Sequence, residues 1–120
     1  MNIRSVTAFA NLSLTEPELA LAQAANFLHN AVPAFEGAGF RVQSRRVATQ
    51  PFPRIMAPIG PGLAAAFAAR VQELAQSYGI DYLGLGPVFV DDDPDFVDAI
   101  PDMVEATDGL FFSVSVADPG

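Results

Sequence analysis

Ile3, Ser5, Thr7 and Phe9 alternate with Arg4, Val6, Ala8 and Ala10, a period of two that predicts a strand over 2–10. The period then changes. Leu21, Ala24, Ala25, Leu28, Val32 and Phe35 recur at helical spacing, and Gly37 and Gly39 end the run. Thr15-Glu16-Pro17-Glu18, just before it, has the form of a capping box, in which the Thr15 hydroxyl accepts from the Glu18 amide. Pro33 removes the donor that would serve the His29 carbonyl, so a kink or early fraying is expected there.

A second strand is predicted over 40–48, followed by a connection, Thr49–Pro61, that holds Pro51, Pro53, Pro58 and Pro61. A helix then opens near Pro61-Gly62, with Leu63, Phe67, Arg70/Val71, Leu74 and Tyr78 on one stripe and Gly79 as its stop. The third strand spans 82–89. A short helix opens after Asp92 and Asp93, with Pro94 in its first turn, and uses Phe96, Val97, Ile100 and Val104. Thr107-Asp108-Gly109 ends it before a fourth strand, 110–116.

The resulting β-α-β-α-β-α-β order places the chain in the α/β class, with crossovers long enough for parallel neighbours. If the strand order is sequential, right-handed crossovers put all the helices on one side, as in part of a barrel. The 120 residues form a single unit. The last strand carries large apolar groups on both faces, Leu110, Phe112 and Val114 on one and Phe111 on the other. Such an edge calls for a partner. The expectation is self-association, or pairing with the remainder of a larger barrel domain of which this is the N-terminal portion.

Composition narrows the chemistry. Hydrophobic content is 51% and mean hydropathy +0.30, so the chain is not disordered. No apolar run approaches the roughly 18–20 residues that span a bilayer, and Met1–Ser5 is no signal peptide, so a cytoplasmic protein is expected. Cysteine is absent, which excludes thiolate nucleophiles and Cys-ligated metal. Lysine is absent too, which excludes a Schiff base and a P-loop lysine. The net charge of −8 repels nucleic acid and anionic membrane, so neither is expected as a partner. Nothing in the residues names a cofactor.

Four stretches carry a resemblance: Ile3–Thr7, Gly39–Thr49, Asp81–Pro87 and Leu110–Val114. In this order and over nearly the whole chain they resemble the N-terminal part of the domain of unknown function 711 family. The resemblance implies a ten-stranded α/β barrel like that of pyruvate formate-lyase, in proteins several hundred residues long without an established activity. Radical chemistry of the glycyl radical type does not carry over, since a thiyl radical needs a cysteine.

The Thr49–Pro61 connection is the leading candidate for a binding site. Strand-to-helix loops of this class run about 2–6 residues, and this one is roughly twice as long. Arg46 and Thr49 approach it, Arg54 lies within it, and Gly60-Pro61-Gly62 opens the next helix. A guanidinium beside helix N-terminal amides suits a small anionic ligand at the strand C-termini. The plainer reading is a proline-stiffened loop packed through Phe52 and Ile55, and it weighs more because no phosphate fingerprint is present. Arg45 and Arg46 point to opposite faces, and the family pattern favours Arg46. Arg46 could equally hold a structural ion pair.

Other signals are weaker. Gly84-x-Gly86-Pro87 allows close backbone approach, whether by ligand or by packing. Asp91-Asp92-Asp93, with Asp95 and Asp98, fails the calcium-loop pattern because Phe96 stands where glycine is needed. Helix capping is preferred, and no metal site is assigned. His29 reads as a surface residue. The functional expectation is an anion-binding section of a barrel with catalysis unassigned. The alternative is a structural or interaction module that assembles through its terminal strand.

Overall fold

The computed structural model of the chain describes residues 1–89, 91–107, 110–111 and 114–115. Each predicted strand forms, the first three in two pieces. The first is β1 (Asn2–Ile3) and β2 (Val6–Ala10), and the second is β3 (Arg41–Val42) and β4 (Arg45–Pro51). The third is β5 (Tyr82–Gly86) and β6 (Val88–Phe89), the fourth β7 (Leu110–Phe111) and β8 (Val114–Ser115). Val116, predicted to end the last strand, lies outside the described residues.

Between the first two strands the interruption is patched rather than frayed. β1 pairs with β3 and β2 with β4 at one common offset, Asn2 opposite Arg41 and Val6 opposite Arg45. Between them the Ser44 hydroxyl donates to the Arg4 carbonyl (3.0 Å), and the Val6 amide donates to the Ser44 carbonyl (3.1 Å). A break in a ladder leaves polar groups without strand partners, and a buried serine supplies one.

All pairings are parallel, and the central sheet has the order β2-β4-β5-β7. Strands thus neighbour their predecessors in the chain, with helices between them. This is a mixed α/β fold of the expected sequential kind. Ala8, Val47, Leu83 and Leu85 are buried in one core with the helices, so one face of the sheet is covered. Alternation turns Thr7, Phe9, Arg46, Ala48, Tyr82 and Gly84 to the other face.

Helix α1 (Pro17–Gly37) buries Leu21, Ala24, Leu28 and Val32, as its spacing predicts. It runs past Pro33, which is exposed, without the early fraying expected of it. The capping box does not form. Proline prefers the first helical position, which makes Glu16 the cap and moves Thr15 one residue out. Ser13 Oγ accepts instead from the amides of Thr15 and Glu16 (both 3.3 Å). Glu18 is released to meet Arg70 at 3.2 Å, an exposed pair worth about 0–1 kcal/mol. At the other end Gly39 takes φ +93° and lets the Phe40 amide reach the Phe35 carbonyl (3.0 Å). That is the Schellman ending glycine permits.

The long connection is not structureless. β4 extends to Pro51, and helix α2 (Phe52–Met56) follows at once, with Phe52, Pro53, Ile55 and Met56 buried. Phe52 packs edge-on against Phe96 at 5.7 Å. A 3-10 turn (Pro61–Leu63) leads into α3 (Ala64–Ser77). The α3 stripe is rotated from the expected one. Ala64, Phe67, Ala68, Val71 and Ala75 are buried, while Leu63 and Tyr78 are exposed. Small alanines on the buried stripe permit close packing of the helix. In α4 (Asp95–Glu105) Phe96 and Met103 are buried and Val104 is exposed, so Met103 takes the place predicted for Val104.

Candidate functional site

The uncovered face of the sheet has a legible grid. Thr7, Arg46 and Tyr82 are register partners across three strands and form one row. Phe9, Ala48 and Gly84 form the next, roughly 7 Å along the strands. The Arg46 guanidinium carbon lies over the Tyr82 ring at 5.0 Å from its centroid. A planar cation on a π-face is held in orientation as well as place, at about 0.5–1 kcal/mol for exposed examples. Thr7, Arg46, Val47, Ala48, Tyr82 and Gly84 line a cleft of about 170 Å³ on this face.

Of the predicted binding residues, Arg46 lines the cleft. Thr49 stands three residues further along β4, roughly 10 Å away. There the ladder slips. Ala48 faces Gly84 but Pro51 faces Gly86, so two residues of β4 oppose the single Leu85. This is a bulge. The Gly86 amide donates to Thr49 Oγ1 (3.1 Å), whose own proton goes to the Gln50 carbonyl (2.8 Å). Thr49 therefore stitches the bulge. Arg54 is exposed on α2. Gly60, at φ +74°, lets its amide reach the Met56 carbonyl (2.7 Å) and closes α2. Gly62 lies in the 3-10 turn. These three do not line the Arg46 cleft.

Gln50 was invisible to sequence reasoning. Its Oε1 accepts from the Leu12 amide (2.8 Å) and its Nε2 donates to the Leu12 carbonyl (2.7 Å). A side-chain amide thus imitates one rung of a ladder, pinning the β2–α1 loop to the end of β4. Nothing local marks it, because the partner is 38 residues away.

The chain is matched over residues 1–119 by the family model described as Uncharacterised ACR (DUF711). The chain belongs to the DUF711 family. The resemblance read from Ile3–Thr7, Gly39–Thr49, Asp81–Pro87 and Leu110–Val114 is therefore sound, and most of these segments build the strands just described. No curated protein matches the chain. DUF711 membership brings no reaction with it, so function rests on the site.

The acidic stretch is occupied in holding backbone. Asp92 Oδ2 accepts from the Phe89 amide (2.7 Å), and Asp93 Oδ1 accepts from the Asp95 amide (3.0 Å) where α4 begins. Among the described residues no group of three or more acidic, His or Cys side chains could hold a metal ion. His29 is exposed on α1. No helix among the described residues is long and apolar enough to cross a membrane.

Proposed function

We propose that this DUF711 chain is a section of an α/β barrel whose uncovered sheet face forms an interior binding surface for a small anion, anchored at Arg46. The observation that carries the reading is the placement of Arg46. It sits mid-sheet between Thr7 and Tyr82, lines a cleft, and has its guanidinium plane steadied by the Tyr82 ring. An arginine in that position offers a bidentate face to a carboxylate or phosphate oxygen pair. The site lies further down the strands than loop length suggested.

Thermal melts in acetate or phosphate, against chloride at matched ionic strength, test the reading. Chloride controls for screening of self-repulsion in an acidic chain. At ten times Kd, binding to the folded state adds about 1.4 kcal/mol, or roughly 5 °C for a domain of this size. Arg46→Ala is expected to remove the increment and Arg54→Ala to leave it. Equal action of all the salts on the native chain would sink the proposal.

A second reading, an assembly module, draws on the opposite edge of the sheet from the one expected. Phe9 is 84% exposed and Phe27 58% exposed, flanking β2, which is the outer strand of the central sheet. Burying a phenylalanine contributes about 1.5–3 kcal/mol, so this edge favours pairing with a further strand. Light scattering is expected to show association that rises with concentration and falls in Phe9→Ser. A monomer at all concentrations would leave the module reading without support.

A further inference from the structure

A cavity of about 350 Å³ follows the outer edge of β2. Its strand wall is residues 7–10, and alternation turns Thr7 and Phe9 to one face and Ala8 and Ala10 to the other. A cavity that touches both sets lies beside the strand rather than over it. Ala20, Gln23, Ala24 and Phe27, one stripe of α1 at helical spacing, form its other wall. The backbone opens onto the same edge. The Val6 amide donates to the Ser44 carbonyl (3.1 Å), so Val6 and Ala8 turn their backbone polar groups toward β4. Thr7 and Phe9 turn theirs outward, where β2 has no strand neighbour among the described residues. Edge strands usually carry a charge, a proline or a bulge that discourages pairing. Val6–Ala10 carries none of these, and the helix stripe is uncharged too.

Resting on the assembly reading above, we propose that the partner at this edge is a second copy of the chain, paired β2 to β2 about a two-fold axis at Ala8. A two-fold contact sets one patch against itself, and strands paired that way run antiparallel. With Ala8 opposite its own copy, Thr7 of each chain faces Phe9 of the other, and each such pair exchanges both of its backbone bonds. Any other centre leaves an outward group of the strand unmatched. The Phe9 ring covers the junction on the open face of the sheet, and Phe27 covers it on the helical side. At 84% and 58% exposed, these rings leave on the order of 300 Å² per copy to be buried. Two copies bury about 600 Å² of ring, and with the strand edges the contact lies at the small end of specific interfaces. The expected dissociation constant is therefore about 10–100 μM. Two copies of net charge −8 repel at long range, and an uncharged patch is where they approach with least repulsion. A charged partner peptide would find no charge there to pair with.

The test is sedimentation equilibrium on the whole chain. The wild type is expected to dimerise at about 10–100 μM, and more tightly in high salt, which screens the repulsion between copies. Gln23→Glu and Gln23→Lys, on the exposed surface of α1, each set like charges across the axis and are expected to weaken the dimer about tenfold in low salt. Their equimolar mixture is expected to regain it, because opposite charges then meet. The chain has no cysteine, so Ala8→Cys can be oxidised only to its own copy. Facing Cα atoms about 4.5 Å apart suit a disulfide, and a linked dimer is expected. Ala48→Cys, one strand further in, is expected to stay unlinked. A monomer at every concentration overturns the assembly reading and this proposal with it. Association that both Gln23 variants leave unchanged keeps the assembly reading and removes β2 as its site. Association lost in the variants and not regained in the mixture, or no link through Ala8→Cys, overturns the two-fold pairing.

Discussion

Gly86→Ala is expected to destabilise the fold by at least about 3 kcal/mol, lowering the melting temperature by roughly 10 °C or more. The added carbon would fall on the Gln50 carbonyl and 2.5 Å from the Pro51 nitrogen, all of it backbone. A flexible side chain could swing away. The β4 bulge cannot, because the Gly86 amide, Thr49 hydroxyl and Gln50 carbonyl are bonded in series across it. Relief means parting β4 from β5 in the middle of the sheet. Gly84→Ala, two residues earlier on the same strand, is the internal control and is expected to change stability by less than about 0.5 kcal/mol. Urea midpoints for both variants check the pair, and equal losses would show that neither glycine is set by the bulge.

Gln50→Leu is expected to cost about 2–4 kcal/mol, since it strands both the amide and the carbonyl of Leu12. Gln50→Glu is the sharper experiment. The carboxylate keeps an acceptor for the Leu12 amide but places a second acceptor against the Leu12 carbonyl. Protonation restores the donor, so folding raises the pKa of the introduced carboxyl above its unfolded value of about 4.3. A raised folded pKa gives stability that is fully present below the unfolded pKa and lost as pH rises through the folded one. Relative to wild type, the variant should therefore recover on acidification. A gap between the two that stays constant from pH 7 to pH 4 would show that the Leu12 contact contributes little.

The strands and the parallel order were legible because period-two alternation and crossover length are local properties of the chain. Gly39 and Gly79 likewise announce helix ends, since a left-handed φ is a demand on a single residue. Part of what escaped detection depends on contacts between distant residues. Gln50 looks like any polar residue in a strand until Leu12 is beside it. The capping box misled because Thr15 and Glu18 have the right spacing, while Pro17 decides where the helix starts. In α3 the largest apolar residues suggested the buried stripe, yet Leu63 and Tyr78 are exposed and alanines face the core. Close approach of helix to sheet favours small side chains, which hydrophobic spacing undervalues. Strand alternation put Arg45 and Arg46 on opposite faces, and Arg46 is the one that lines the cleft. Loop length drew attention to Thr49, Arg54, Gly60 and Gly62, but bulge, helix and turn geometry account for much of that length.

The sequential strand order has a bearing on how the chain assembles. Thr7 meets Arg46 across 39 residues, Arg46 meets Tyr82 across 36, and Leu83 meets Leu110 across 27. Loop-closure entropy grows only with the logarithm of length, so these three closures differ by only about 0.3 kcal/mol. No pairing has a head start from chain connectivity. Each strand also docks on one already made, so a polypeptide leaving the ribosome N-terminus first can complete one pairing before the next strand exists.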